Sequence, residues 1–312
     1  MSQPLWGIDL GGTKIEGVIL PGPDRAEPMV RTRIPSESGK GYKHILNQIS
    51  RLVNMMKDES GLIPEKIGFG TPGVTDPVLQ TMKNCNSTAL NGQPLKADLE
   101  ELLGVEVVLE NDANCFALAE TNWGVVKEKM PNAKMVFGII MGTGTGAGIV
   151  YNGHTWPGKQ GIGGEWGHNC LDESGGACYC GKTGCVETVI SGPGTERFYT
   201  SLSGKKLKLD EIYTLYKNGN DAAAIKTIER LCYFFGKAVS VVVNILDPDV
   251  IVVGGGVGNI KELYSLGRAS LENYVFNNRL DTPILAPSLG DSAGVFGAAA
   301  LVAPVDTNAL NR

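Results

Sequence analysis

Apolar residues along this chain fall into two spacings, and the switch between them lays out the elements. Leu5 to Leu10 and Lys14 to Leu20 are near-continuous apolar runs separated by Gly11-Gly12, which predicts a strand, a tight turn and a returning strand. From Tyr42 to Lys57 the spacing becomes helical, with Ile45, Leu46, Ile49, Leu52, Val53 and Met56 on one face. Lys66 to Gly70 reads as a short strand stopped by the turn Thr71-Pro72-Gly73. Ala97 to Leu103 predicts a helix ended by Gly104, and the β-branched run Val105 to Leu109 a strand. Asp112 then opens a helix over Ala113 to Glu120, so the order to this point is β-β-α-β-α-β-α.

The same order restarts at Met135. Met135 to Met141 reads as a strand, Gly142 to Gly148 as a glycine turn and Ile149 to Tyr151 as a returning strand. An irregular stretch is expected from Asn152 to about Gly194, then a long apolar helix from Ala222 to Leu246 and a buried strand from Asp249 to Val253. A helix through Leu263 and Leu271 and a short strand at Pro283 to Ala286 close the pattern. Asp9-Leu-Gly-Gly-Thr13 and Met141-Gly-Thr-Gly-Thr145 form a weak internal repeat of strand, glycine turn and strand. The economical reading is two α/β lobes, 1–122 and 123–293, with a C-terminal helix at about 294–312 packing back on the first.

Composition sharpens this picture at one point. Glycine makes up 42 of 312 residues, nearly twice the usual share of about 7%. Seventeen glycines fall between Gly138 and Gly194 and four between Gly254 and Gly258, so backbone there must turn sharply or lie close to something. A net charge of −5 with no basic run argues against a nucleic-acid partner. No apolar run reaches the roughly 20 residues that span a membrane, and no signal peptide is visible, so a cytoplasmic location is expected. Seven cysteines, three of them within eight residues, fit a reduced chain better than a disulfide framework.

Three glycine segments each follow a strand: Gly11-Gly12-Thr13, Gly142-Thr143-Gly144-Thr145-Gly146 and Gly254-Gly255-Gly256. Each alone is as compatible with a hairpin turn as with a phosphate cradle, and none matches a P-loop or a complete dinucleotide fingerprint. Three at strand ends, the first flanked by Asp9 and Lys14, favour convergence of backbone N–H groups on an anion. Cys178-Tyr-Cys180-Gly-Lys-Thr-Gly-Cys185, with His168 ten residues earlier, supplies three thiolates and an imidazole. The alternative, free cysteines in a loop, sits badly with their crowding in a polar, glycine-rich segment. A closed four-ligand shell leaves no position for an activated water, so a structural zinc is expected in the insertion 164–190. Asp112, at a strand end, is either a helix cap or a chemical group, and Glu165 and Glu187 bracket the cysteines.

These motifs, in order, resemble the signatures of the ROK sugar-kinase family. The resemblance rests on Asp9-Leu-Gly-Gly-Thr-Lys14, Gly70-Thr-Pro-Gly73, Asn111-Asp-Ala-Asn114, Glu165-Trp-Gly-His168 and Cys178-x-Cys-Gly-x-x-Gly-Cys-x-Glu187, spread over nearly the whole chain. Asn86-Ser-Thr-x-Leu-Asn-Gly-Gln-Pro94, Gly164-Glu-Trp-Gly-His-Asn169 and Asn244-Ile-Leu-Asp-Pro-Asp-Val-Ile251 look most like bacterial fructokinases of the manno(fructo)kinase type, although Ala89 stands where those carry a bulky aromatic residue.

The resemblance implies two RNase H-like lobes of the actin and hexokinase type with an interlobe active-site cleft. It implies an ATP-dependent hexose kinase acting on a primary 6-hydroxyl, fructose being the first expectation. A ROK glucokinase, an N-acetylhexosamine kinase or a non-catalytic sugar-sensing regulator are the alternatives. Asp112 would be the catalytic base, with Gly73, Thr88, Asn111, Glu165, His168 and Glu187 on the sugar. Asp9 would hold Mg²⁺, and Gly11, Gly12, Thr13, Lys14 and Gly142 to Thr145 the ATP phosphates, with Gly254, Gly255 and Gly256 near the adenosine. His168, Cys178, Cys180 and Cys185 would hold zinc, His168 also facing the sugar, and the chain would be a homodimer.

Overall fold

Leu5–Leu10 forms β1 and Lys14–Leu20 forms β2, paired antiparallel so that Asp9 stands opposite Glu16. The computed structural model describes residues 3–304, which divide into two compact units. The first holds residues 3–131, 148–163 and 288–304, and the second 132–147 and 164–287.

In the first unit β2 pairs with β3 (Val30–Pro35), a strand the apolar pattern misses because only Val30 and Ile34 of it are apolar and buried. The elements that follow are α1 (Tyr42–Ser60), β4 (Lys66–Thr71), the small hairpin β5 (Val74–Thr75) and β6 (Met82–Lys83), α2 (Leu95–Leu103), β7 (Glu106–Asn111), α3 (Asp112–Asn122) and α4 (Val125–Lys129). The sheet order is β3-β2-β1-β4-β7, antiparallel on the β3 side and parallel from β1 to β7. On one face Ile8, Ile15, Ile19, Ile67, Phe69 and Val107 pack against Ile45, Ile49, Leu52 and Val53 of α1 and Leu95 and Leu99 of α2. Burying this many aliphatic side chains, at roughly 1.5–3 kcal/mol each, is the main stabilising term of the unit.

The second unit opens with β8 (Met135–Met141), which turns through Gly142–Gly144 into β9 (Thr145–Tyr151). The turn is shorter than the expected 142–148, because the alternating small residues after Thr145 are already strand. From Gly148 the strand belongs to the first unit, where β10 (His154–Thr155) folds back on it. Helices α5 (Val186–Ile190), α6 (Gly192–Ser203) and α7 (Leu209–Asn218) come next, then α8 (Ala222–Leu246), β11 (Val250–Gly254), α9 (Leu266–Glu272) and β12 (Ile284–Leu285). β8, β11 and β12 are parallel neighbours, and α8 buries Ile228, Leu231, Phe235 and Val239. The sequence pattern gives α8 in full and misses α5, which has only five residues, as well as α6 and α7. Ser191 caps α6 by accepting the N–H of Gly194, and Asp221 caps α8 by accepting that of Ala224.

The last element, α10 (Ala293–Ala300), lies on β1, β4 and α3 in the first unit. It approaches so closely that Gly7 and Gly68 have no room for a side chain against Ala298 and Ala299. The expected helix at 294–312 is thus helical to Ala300, and residues 305–312 lie outside the described residues. Among the described residues no helix is long and apolar enough to cross a membrane.

Candidate functional site

Across the first sheet, Arg33, Glu16, Asp9, Gly70 and Glu110 are successive strand partners and share one face. Gly70 leaves space beside Asp9, since a β-carbon there would sit 3.4 Å from its Oδ1. Burial first, then the negative charges of Asp112 and Glu16, pushes the Asp9 carboxyl up to about 7. Such a group has much to gain from a nearby cation. Glu16 behaves oppositely: burial would raise it, but the bonds from Arg31 and Arg33 outweigh burial and hold it below the usual range. Its carboxylate receives Arg31 Nε at 2.8 Å and Arg33 Nη2 at 2.6 Å, with Lys14 Nζ at 3.8 Å. Three cations thus gather around one carboxylate beside the first glycine turn. In that turn the Gly11 N–H donates to Lys14 O at 3.0 Å, while the Gly12 carbonyl accepts the Ser36 and Ser38 hydroxyls at 2.6 and 2.7 Å. Gly12 and Thr13 are exposed.

The start of α3 settles the local part of the Asp112 question. Asn111, not Asp112, is the cap: its Oδ1 accepts the Ala113 N–H at 2.9 Å. Asp112 is the first helical residue, exposed, with Oδ1 2.8 Å from the same N–H. Glu110 is a residue the motif reading passed over. It accepts the Asn111 N–H at 2.8 Å, Asn114 Nδ2 at 3.0 Å and the Thr155 hydroxyl at 2.7 Å. Asn114 in turn accepts the Ile149 N–H at 3.0 Å, so both side chains fix β9 and β10 to the helix that carries Asp112. Gly73 is backed by Cys85 and Lys83, and its carbonyl accepts the Thr71 hydroxyl at 2.9 Å. Thr88 lies exposed in a short 3₁₀ turn, next to Ser87, whose Oγ would be 3.4 Å from a β-carbon at Gly12. The first unit therefore brings Asp9, Gly12, Gly73, Thr88, Asn111 and Asp112 to one set of strand ends.

In the second unit the Gly142–Gly144 turn is closed by Gly142 N–H to Gly144 O at 2.8 Å. Gly254, Gly255 and Gly256 follow β11 beside it: Gly254 pairs with Ile140, and Gly255, at φ +80°, lies on the backbone of Met141. Glu187, in the first turn of α5, accepts the Thr145 N–H at 2.9 Å. The first residue of α6 holds the same turn, through Gly192 N–H to Gly142 O at 2.9 Å. Gly167 packs on the Thr145 carbonyl, which brings the Glu165–His168 turn against β9. Trp166 anchors that turn, edge-on to Phe137 at 6.0 Å and donating to Ala238 O at 3.2 Å. Thr145 Oγ1 is buried and has no hydrogen-bond partner among the described residues.

The cysteine loop converges as its spacing predicts. One ligand atom from each of His168, Cys178, Cys180 and Cys185 lies within 4.8 Å of the others. Cys178 Sγ is 3.6 Å from His168 Nδ1, and Cys180 Sγ 3.6 Å from Cys185 Sγ. A tetrahedral ion with bonds of about 2.0–2.3 Å requires ligand separations close to these, and three thiolates with one imidazole suit zinc. The residues fit the ion. Nδ1 faces the sulfurs, so Nε2 points elsewhere, to Tyr179 Oη at 3.0 Å and Glu165 Oε2 at 4.0 Å. Tyr179, lying between two of the cysteines, is a second residue the motif reading missed. Cys170 is exposed and outside this set.

The ROK family model matches residues 5–304. The chain belongs to the ROK family. It is 36% identical over 307 residues to an N-acetyl-D-glucosamine kinase of Pasteurella multocida, covering 95% of this chain and 98% of that protein. Its fold is that of ROK sugar kinases: a ROK hexokinase from Thermus thermophilus superposes with a TM-score of 0.84 at 29% identity, covering 96% and 97% of the two chains. A ROK family glucokinase from Streptomyces griseus, solved with glucose and AMPPNP, gives 0.77 at 25% identity over 96% and 99%. The expected manno(fructo)kinase type finds no support among these relatives, and fructose is set aside as the first choice of sugar. Of the segments that suggested it, Gly164-Glu-Trp-Gly-His-Asn169 forms the turn that packs on Thr145 and carries His168 of the Cys/His cluster.

Proposed function

We propose that this chain is an ATP-dependent N-acetylglucosamine kinase that phosphorylates the primary 6-hydroxyl. The observation that carries the choice of sugar is the 36% identity, over 95% of the chain, with the Pasteurella multocida enzyme. In this reading Asp112, projecting at the start of α3, receives the proton of the attacking hydroxyl. An ordinary aspartate, with a pKa of about 3.9, cannot ionise an alcohol beforehand; it orients the hydroxyl and takes the proton late. Asn111, Thr88 and the Gly73 backbone, with Glu165, His168 Nε2 and Glu187, bind the remaining sugar groups. Glu110 and Asn114 act through others, holding the α3 start against β9 and β10.

Asp9 is the residue suited to Mg²⁺, since its raised proton affinity measures how poorly its charge is compensated without a cation. When bound, Mg²⁺ neutralises charge on the phosphate oxygens. The Gly11–Lys14 and Gly142–Thr145 turns supply N–H donors to the phosphates, and Gly254–Gly256 lies at the nucleotide end. His168, Cys178, Cys180 and Cys185 would hold zinc for structure, fixing the positions of Glu165 and Glu187. The chain acts as a homodimer, which light scattering would test. The reading is tested by incubating the protein with Mg·ATP and N-acetylglucosamine and locating the new phosphate by NMR. A phosphate on O6 supports it, and no sugar phosphate refutes it.

A further inference from the structure

The Thr145 N–H is the last backbone donor of the second glycine turn, and an anionic oxygen already sits on it. That oxygen belongs to the chain itself: Glu187 Oε2, 2.9 Å away. The carboxylate lies against the inside of the turn, where a β-carbon at Gly144 would be 2.6 Å from the same oxygen. A turn that receives phosphate cannot offer this donor while Glu187 holds it, and the two like charges repel.

We propose that Glu187 is a latch: without sugar it occupies the phosphate-binding donor of the Gly142–Thr145 turn, and a sugar hydroxyl draws it away. The proposal rests on the reading of this chain as a sugar kinase and adds an order to its binding. Three features support it. The backbone carrying Glu187 is held at both ends, by Cys185 in the metal set two residues before and by Gly192 N–H to Gly142 O after, so release requires only rotation of the side chain. Glu187 is part-buried, so its charge gains from any hydroxyl that replaces the lost N–H. Thr145 Oγ1, at the same residue, is buried and lacks a partner among the described residues, a second polar atom left for an incoming group. The consequence is that nucleotide phosphate meets a complete turn only when sugar is in place. ATP is then protected from water in the idle enzyme. By linkage, sugar and nucleotide each raise the affinity of the other.

The test is calorimetric titration of Mg·AMPPNP into the wild-type chain and E187Q, with and without saturating N-acetylglucosamine. The wild type binds nucleotide roughly tenfold tighter with sugar present, the factor expected if the open turn is a tenth of the population. E187Q, without sugar, binds nucleotide roughly tenfold tighter than the wild type and gains little from sugar. A clamp that merely supports the turn gives the opposite sign, weaker binding in E187Q, and overturns the latch. Unchanged affinity in E187Q, or a wild type indifferent to sugar, overturns it as well. Wild-type protein that binds no nucleotide in either condition removes the kinase reading and the latch with it. Zinc content equal to wild type checks that the knuckle survives the change, and E187A repeats the titration if E187Q fails to fold.

Discussion

Asp9 and Glu16 face each other across the β1–β2 pair, two carboxylates on one side of the sheet with opposite proton affinities. The difference lies in their partners: Glu16 holds two arginines, whereas Asp9 is part-buried near the acids Asp112 and Glu16.

That contrast sets a pH dependence. Asp9 keeps its proton to about pH 7 in the folded chain and loses it near 3.8 when unfolded. Folding therefore gains from this group below about pH 4 and loses that gain as pH rises to 7. Urea unfolding of the wild type and Asp9→Asn without ligand should show the variant gaining on the wild type across that window, with a constant difference above it. Binding of Mg·AMPPNP at pH 6.5 should release a fraction of a proton, read by calorimetry in buffers of different ionisation enthalpy. A proton balance of zero there would contradict the placement of Mg²⁺ at Asp9.

Removing Glu16 leaves Arg31, Arg33 and Lys14 facing one another without their anion. Because the arginines are nearly half exposed, Glu16→Ala should cost about 2 kcal/mol rather than the 3–5 of a fully buried pair. Chemical denaturation measures it, and a loss under about 0.5 kcal/mol would mean the cluster is held by other contacts.

Asp112→Asn should lower turnover by about 10²–10⁴ while sugar affinity stays within a few fold, since Asn111 still caps α3. Single-turnover kinetics with calorimetric sugar binding separates the two effects. Near-normal turnover would remove Asp112 from the role of base.

The purified chain should carry about one zinc, measured by plasma mass spectrometry. Cys185→Ser should reduce that content and loosen the 164–190 loop to proteolysis, because Cys185 is a buried member of the four-ligand set. A folded, active preparation free of metal would refute the cluster's assignment.

The site was legible where chemistry is local in sequence. The Cys178–Cys185 spacing brings its sulfurs together as read, and the glycine turns lie at strand ends as read. What stayed hidden depends on contacts distant in the chain. Glu110 becomes recognisable only when Thr155, 45 residues away, donates to it. The pair Glu187 and Thr145, 42 residues apart, meets only once α5 lies beside the turn. β3 was missed because Thr32 stands at its central inward position, leaving only Val30 and Ile34 as apolar signals. α5 has only five residues, too few to show a period, and α6 opens with Gly192-Pro-Gly194, which reads as a turn. The fructose expectation finds no support among the relatives, which favour N-acetylglucosamine instead.

The most direct measurement is a coupled ATP assay giving kcat/KM for N-acetylglucosamine, N-acetylmannosamine, glucose, mannose and fructose on one preparation. N-acetylglucosamine should be turned over with the highest kcat/KM of the five. Preference for fructose, or turnover of none of them, would contradict it.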